Sequence, residues 1–203
     1  MRKFLILMFC AFLPTAYAQS QDSPEQMVKS VTNEVIDVLK TDPQLKSGDP
    51  HKAAELIQEK VLPHFNFKHM TALAMGQNWR KATPEQQKVL MEEFRTLLVR
   101  TYSTALTSYR NQTIQYKPVR MQPGDTDVTV RSEVKQPGGE PIAIEYNMEK
   151  VDGSWKVYDL SVAGVSLVTT YRETFNTEVR SGGVDGLIKT LKTKNQQLAN
   201  RNG

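Results

Sequence analysis

Residues 142–175 read IAIEYNMEKVDGSWKVYDLSVAGVSLVTTYRETF, and this stretch decides the fold. Apolar and polar residues alternate over residues 142–149, the period-two pattern of a strand with one buried face. Asp152-Gly153 then predicts a two-residue hairpin turn, because glycine adopts positive φ at no steric cost. Residues 155–162 form the predicted return strand, so the stretch opens with a β-hairpin.

The turn also fixes the expected register of this hairpin. It places Met148 opposite Val157 and Glu149 opposite Lys156. One face then pairs apolar side chains and the other pairs opposite charges, so the register is self-consistent.

A helix is predicted directly after the hairpin, over residues 167–179. Ser166 is a suitable N-cap. Apolar side chains then recur at helical spacing, at Leu167, Val168, Tyr171 and Phe175. Large apolar side chains from a sheet face and from this helix therefore converge. Our hypothesis is that they line an apolar cavity and that this cavity carries the function.

The remaining elements surround this unit. Helices are predicted to start at Ser23-Pro24 and at Thr83-Pro84-Glu85-Gln86, the second of which is a capping box. Residues 112–120 and 127–134 are predicted strands, and the short connections favour an antiparallel arrangement. We therefore expect an α+β domain, a twisted antiparallel β-meander of about four strands packed against several α-helices and enclosing an apolar cavity.

The first 18 residues have the features of a signal peptide. Arg2 and Lys3 precede a short apolar run over residues 4–13, and Ala16-Tyr17-Ala18 is a small-x-small cleavage site. The run is too short to span a bilayer as a mature helix. We therefore expect export to the periplasm, with cleavage after Ala18.

The mature chain is expected to be one domain over residues 19–203, with residues 192–203 as a frayed polar tail. It would contain no cysteine, because Cys10 lies in the signal peptide. The full chain has 26 basic and 22 acidic residues, and two of the basic ones lie in the signal peptide. The mature chain would therefore have a net charge of about +2. This charge gives no reason to expect a nucleic-acid partner.

The sequence shows no convincing catalytic or metal-binding constellation. The three histidines, His51, His64 and His69, lack the i, i+4 spacing of paired metal ligands on a helix. Ser166 lacks the second glycine of a nucleophile elbow, and no histidine follows it. We therefore predict no catalytic residue and no metal site.

Asp159 leaves one alternative open. In the expected register it lies opposite Tyr146 on the apolar face, where a carboxylate must be hydrogen-bonded or lie near a cavity mouth. One interpretation is a carboxylate at the sheet rim that is satisfied by Tyr146 or by the backbone. The other is the general base of a small-molecule enzyme with a cone-shaped α+β fold.

Five motifs resemble the MlaC family, also called toluene-tolerance or Tgt-type ABC-transporter auxiliary proteins. They are LPHFNF at 62–67, GxxWR at 76–80, TPEQ at 83–86, EFRxLLxRTY at 93–102 and DGSWKVYDLSVxGVSLVxxYRxxF at 152–175. The match covers essentially all of the mature chain in order. Asn66 is a departure, since an acid is often found at that position.

The resemblance implies a periplasmic phospholipid carrier. Such proteins shuttle glycerophospholipid between an outer-membrane lipoprotein–porin complex and the substrate-binding ring of an inner-membrane ABC transporter. This transport maintains the lipid asymmetry of the outer membrane. The resemblance implies no catalysis and no cofactor; the bound glycerophospholipid is cargo, and we expect a monomer. A periplasmic adaptor or chaperone without a ligand is the remaining alternative.

For such a carrier, we expect the acyl tails between the sheet face and the helices predicted over residues 85–109 and 167–179. The apolar side chains expected to contact the tails are Leu98, Tyr102, Leu106, Ile144, Tyr146, Met148, Val157, Val162, Val165, Leu167, Val168, Tyr171 and Phe175. Four arginines could dock partners or be simply solvated: Arg80, Arg95, Arg100 and Arg172.

Overall fold

The architecture comes from a computed structural model that describes residues 23–202. The predicted signal peptide, including Cys10, lies outside the described residues. The single domain over residues 19–203 remains a prediction.

Three helices open the described part of the chain, and each begins with proline behind a capping side chain. They are α1 (Pro24–Thr41), α2 (Pro43–Lys46) and α3 (Pro50–Leu56). Ser23, Asp42 and Asp49 accept hydrogen bonds from backbone N–H groups in the first turns of these helices. Proline suits the first position because its missing N–H would have no helical partner there. A π-helical turn over Ile57–Val61 and a 3₁₀ turn over Leu62–His64 follow α3.

The capping box predicted from the sequence starts the long fifth helix. The two central helices are α4 (Phe67–Met75) and α5 (Pro84–Thr107), and the 3₁₀ segment Gly76–Lys81 joins them. The Gln86 N–H donates to Thr83 Oγ1 at 3.2 Å, and the Thr83 N–H donates to Gln86 Oε1 at 3.0 Å. This part of the prediction is confirmed.

Within residues 23–202, five strands form one antiparallel sheet in chain order. They are β1 (Thr113–Tyr116), β2 (Asp127–Lys135), β3 (Ile142–Val151), β4 (Ser154–Val162) and β5 (Val165–Ser166). The α+β class is confirmed, with one strand more than the four expected. The extra strand, β5, follows a tight turn in which Ala163 and Gly164 both have positive φ, at 51° and 80°. β1 ends before the predicted residue 120, because Pro118 has no N–H to donate to the ladder.

The hairpin of β3 and β4 has the predicted pairs near its turn but shifts register further along. The shift falls between Asn147 and Met148, where β4 carries one extra residue, Tyr158. Asp159 therefore pairs with Asn147, and its predicted position opposite Tyr146 is wrong. Apolar alternation within one strand does not reveal such a bulge, because a bulge is a property of the pair of strands.

The chain ends in two helical stretches joined at a kink, and the second runs into the segment that was expected to fray. α6 (Leu167–Asn202) is interrupted at Gly183, which has φ 68° and ψ −170°. The residues that were expected to fray are helical as far as Asn202. Asn195 is buried, and its Nδ2 donates to the backbone oxygen and to Oε2 of Glu93 at 2.9 and 2.7 Å. These contacts hold the end of α6 against α5.

Three apolar clusters stabilise the molecule. The first joins α4, α5 and α6 around Phe94 and Phe175. The second lies between α1 and one face of the sheet, here called the inner face, and contains Val28 and Val130. The third packs α1, α2 and α3 around Ala53. The helices contact the sheet mainly through α1, α4 and α6, whereas α5 packs mainly on α3, α4 and α6.

Candidate functional site

The inner face of the sheet is built from four rows of side chains that run across the strands. The rows follow from the strand register and from the alternation of side chains along each strand. Row 1 is Val128, Met148 and Val157; row 2 is Val130, Tyr146 and Leu160; row 3 is Tyr116, Ser132, Ile144, Val162 and Val165; row 4 is Ile114, Val134 and Ile142.

Coverage of the inner face falls from row 1 towards rows 3 and 4. In row 1, Met148 is 0% exposed and Val157 is 2% exposed, because α1 packs on this end. In row 3, Ser132 in the middle of the sheet is 1% exposed, whereas Val162 and Val165 on the β4–β5 side are 37% and 59% exposed. All three members of row 4 are half-buried. One end of the sheet therefore presents apolar side chains that the described helices do not fully cover.

Tyr146 lies at the boundary between the covered and the open end. Burial raises the pKa of Tyr146 to about 12, although the residue keeps part of its accessible surface. The Tyr146 hydroxyl is therefore largely removed from water, although the side chain is not completely covered.

Hydroxyl groups lie among these apolar side chains. The Ser132 and Tyr116 hydroxyls of row 3 are buried without a hydrogen bond of normal geometry in the structure. Thr32 of α1 lies beside Tyr116, and burial raises the pKa of Tyr116. The floor of row 3 is therefore apolar with a small polar centre.

An aromatic group in the helical layer includes two of the predicted tail contacts. The Phe94 ring centroid lies 5.1 Å from those of Tyr171 and of Phe175, with edge-on geometry. Burial raises the pKa of Tyr171 to about 12, and the neighbouring Tyr102 adds to the rise. Tyr102 is itself 39% exposed.

The structure distributes the predicted tail contacts over several environments. The first apolar cluster includes or contacts Leu98, Leu167, Val168, Tyr171 and Phe175. The second includes or contacts Tyr146, Met148 and Val157, and the third contacts Leu106. The accessible members are Tyr102, Ile144, Val162 and Val165. The structure thus does not bring all thirteen to one open surface, and their contact with lipid remains a prediction.

Sequence reasoning missed the contributions of α1, β1 and β2 to the inner face. Val28 and Thr32 of α1 lie against the sheet, and Ile114, Ser132 and Val134 extend rows 3 and 4. The alternation in β1 and β2 was a usable signal. No sequence signal indicated the position of α1, because an amphipathic stripe shows that a helix is packed on one side but not which surface it covers.

Asp159 has a structural role. Its Oδ2 accepts from Ser166 Oγ at 2.7 Å, and its Oδ1 accepts from the Val168 N–H at 3.1 Å. The side chain is 8% exposed. Both carboxylate oxygens are therefore engaged in holding the start of α6 on β4, which does not favour the general-base alternative.

The histidines lie apart from the open end of the inner face. The His69 Nδ1 lies 2.7 Å from Glu149 Oε1, and the His69 ring stacks on Tyr158 with centroids 4.6 Å apart. Burial and the nearby Lys156 lower the pKa of His64. Within residues 23–202, no three His, Cys, Asp or Glu side chains are grouped as metal ligands would be.

No helix within residues 23–202 combines enough residues with enough apolar character to cross a bilayer.

Known proteins resemble the chain in sequence and in fold. The family model described as "MlaC protein" matches residues 29–193. The "Intermembrane phospholipid transport system binding protein MlaC" of Haemophilus influenzae is 27% identical over 203 residues, covering 98% of this chain and 93% of that protein. The "Toluene tolerance protein ttg2D" of Pseudomonas putida is 28% identical over 193 residues, covering 94% and 87%.

A solved structure supports the same relationship. The phospholipid-binding protein from Ralstonia solanacearum, determined in complex with a phospholipid, superimposes with a TM-score of 0.80 at 43% sequence identity. The match covers 86% of this chain and 98% of that chain. This is a family of phospholipid-binding transport proteins and not an enzyme family. With the family model matched over residues 29–193 and the fold shared, the chain belongs to the MlaC family.

Proposed function

We propose that this protein is a periplasmic phospholipid carrier that binds the acyl tails of a glycerophospholipid at the open end of the inner face. It shuttles the lipid between an outer-membrane lipoprotein–porin complex and the substrate-binding ring of an inner-membrane ABC transporter, and so maintains outer-membrane lipid asymmetry. The observation that carries the proposal is the loss of coverage from row 1 to rows 3 and 4.

The energetics of lipid transfer explain why such a surface is needed. Each methylene that leaves water contributes about 0.8 kcal/mol, so two acyl chains represent on the order of 20 kcal/mol. A phospholipid therefore crosses an aqueous compartment only when its tails are covered. The half-buried Ile144 and the exposed Val162 and Val165 offer apolar area that tails can cover.

The relatives support the same class of ligand. One is named for intermembrane phospholipid transport, and the similar solved structure holds a phospholipid. The predicted signal peptide supports the periplasmic location. Because tails are recognised by apolar contact, we expect weak selectivity for the lipid head group.

Native mass spectrometry of protein purified without detergent tests the proposal. We expect one phospholipid mass on the wild type and a loss of most of it in Val162→Asp and Ile144→Asp, because a carboxylate disfavours contact with a tail. Gln115→Asp on the exposed side of β1 is the matched control and should keep the lipid. A ligand-free protein with a filled interior would instead support the adaptor alternative.

The shuttling step needs a separate measurement. Purified carrier loaded with fluorescent phospholipid should deliver it to proteoliposomes that contain the transporter complex, and Val162→Asp should deliver less in proportion to its lipid content. Delivery that is equally fast to protein-free liposomes would contradict a partner-directed shuttle.

A further inference from the structure

The net positive charge predicted for the mature chain lies in its last segment. Residues 19–188 contain 20 basic and 22 acidic residues, whereas residues 189–203 contain four basic residues and no acidic one. The four are Lys189, Lys192, Lys194 and Arg201. All four are exposed and belong to the second helical stretch of α6, and we call them the basic face. Charge of one sign that is concentrated in one segment indicates an interaction surface.

The helix presents the basic face to solvent because its other side is packed. Leu187 and Leu191 belong to the first apolar cluster and are 1% and 3% exposed. Asn195, on the same side, is 3% exposed and bonded to Glu93 of α5. At 1.5 Å per residue, the basic face extends for about 18 Å along the helix axis. The packing therefore holds the four cations in a fixed array.

Within residues 23–202, no acidic side chain is paired with the basic face. None of its four side chains makes an ion pair or a hydrogen bond with another described residue. Asp185 lies one turn before Lys189, but its carboxylate accepts from Gln86 Nε2 at 2.7 Å. The Glu93 carboxylate accepts from Asn195 Nδ2 at 2.7 Å. The positive charge of the basic face is therefore not offset by direct contacts.

The helix dipole accounts for only one of these cations. A cation in the last turn of a helix is favourable, and Arg201 lies in that turn. The effect falls off within one turn, and the three lysines lie further from the helix end at Asn202. Neither the dipole nor ion pairs within the described chain therefore account for Lys189, Lys192 and Lys194.

The composition of the exposed side distinguishes between two kinds of anionic partner. Its other exposed residues are Thr193, Gln196, Gln197 and Asn200, so none of the exposed residues over 189–201 is apolar. The core of a protein–protein interface usually contains apolar or aromatic anchors and few lysines. A surface of anionic lipid requires no such anchor, because each lysine or arginine is attracted to it by charge alone.

We propose that the basic face docks the protein on a membrane surface that is rich in anionic phospholipid head groups. The contact is peripheral, because the exposed side of the helix has no apolar residue to insert between acyl chains. Salt weakens the contact, since it screens the attraction between the exposed charges and the head groups. The basic face shares no residue with the four rows of the inner face, so docking does not depend on tail binding.

Co-sedimentation with sucrose-loaded vesicles tests the proposal on the signal-peptide-free protein. We expect binding at low salt to an equal mixture of phosphatidylglycerol and phosphatidylcholine, release at about 0.5 M salt, and no binding to phosphatidylcholine alone. The double variant Lys189→Gln, Lys192→Gln should bind more weakly by about fivefold for each lysine removed. The double variant Lys68→Gln, Lys150→Gln is the matched control. It removes the same net charge from exposed positions outside the basic face and should bind within about twofold of the wild type.

Failure of docking is distinguishable from failure of the carrier function. The double variant of Lys189 and Lys192 should purify with as much phospholipid as the wild type, and Val162→Asp should still bind the anionic vesicles. If the wild type does not bind these vesicles at low salt, or if the two double variants bind them equally well, the proposal is wrong. Binding to polyglutamate without binding to the vesicles would also overturn it and would assign the basic face to an acidic protein.

Discussion

The Asp159 carboxylate accepts a hydrogen bond from the backbone N–H of Val168 at 3.1 Å. The contact joins β4 to the first turn of α6, and Ser166 reinforces it with a 2.7 Å hydrogen bond to the other oxygen. A carboxylate at the start of a helix also interacts favourably with the helix dipole. The one acid that sequence reasoning left open for catalysis thus attaches the C-terminal helix to the sheet.

Asp159→Ala should lower the free energy of unfolding by about 1–3 kcal/mol, because the Val168 N–H loses its acceptor in a buried setting. Urea denaturation followed by circular dichroism measures this change. Glu140→Ala is the control, since Glu140 is exposed, and its effect should stay within about 0.5 kcal/mol. If Asp159→Ala is as stable as the wild type, the hydrogen bonds of Asp159 at the start of α6 contribute nothing to the free energy of unfolding.

The stability cost of truncating an apolar side chain should be larger in row 1 of the inner face than in row 3. Met148→Ala in row 1 should cost about 2–5 kcal/mol, because it leaves a cavity in a packed core. Val162→Ala in row 3 should cost no more than about 0.5 kcal/mol, because its side chain is already 37% exposed. Similar costs in the two rows, measured by urea denaturation of delipidated protein, would mean that both ends are equally packed.

Sequence reasoning predicted the parts of the fold that depend on local signals. The Asp152-Gly153 turn, the capping box of α5 and the α+β class all follow from patterns within a few residues of each other. The bulge at Tyr158 could not be predicted, because it depends on how two strands meet. The same limit applies to the burial of Val168 in the first apolar cluster, because that burial depends on how the helices pack against each other.

The pKa of Tyr146 has a consequence for stability at high pH. Burial raises the pKa of this phenol to about 12 in the folded protein, against about 10 when it is exposed. Between these values the unfolded chain has lost the proton and the folded chain has kept it, so stability must fall as pH rises. The stabilising contribution is fully present below about pH 10 and is lost towards pH 12, with a limiting slope of about 1.4 kcal/mol per pH unit for this group.

Tyr146→Phe tests this reasoning, because it removes the titrating group and keeps the ring. The free energy of unfolding should fall less steeply between pH 10 and pH 12 in the variant than in the wild type. Tyr171, whose pKa is raised to about 12 as well, should account for part of the remaining slope. Identical pH profiles would show that the Tyr146 hydroxyl is as well solvated in the folded state as in the unfolded state.

The polar C-terminal segment also has a measurable role in stability. Composition alone indicates a frayed tail over residues 192–203, yet Asn195 is 3% exposed and donates to two oxygens of Glu93. Asn195→Ala should lower the free energy of unfolding by about 1–3 kcal/mol, since it removes two hydrogen bonds that join α6 to Glu93 of α5. Gln197→Ala, two residues further along on the exposed side of α6, should change it by less than about 0.5 kcal/mol. Hydrogen exchange gives a second measurement. Amides near Asn195 should be protected in the wild type and should exchange faster in Asn195→Ala. Rapid exchange in both proteins would show that this segment frays in solution.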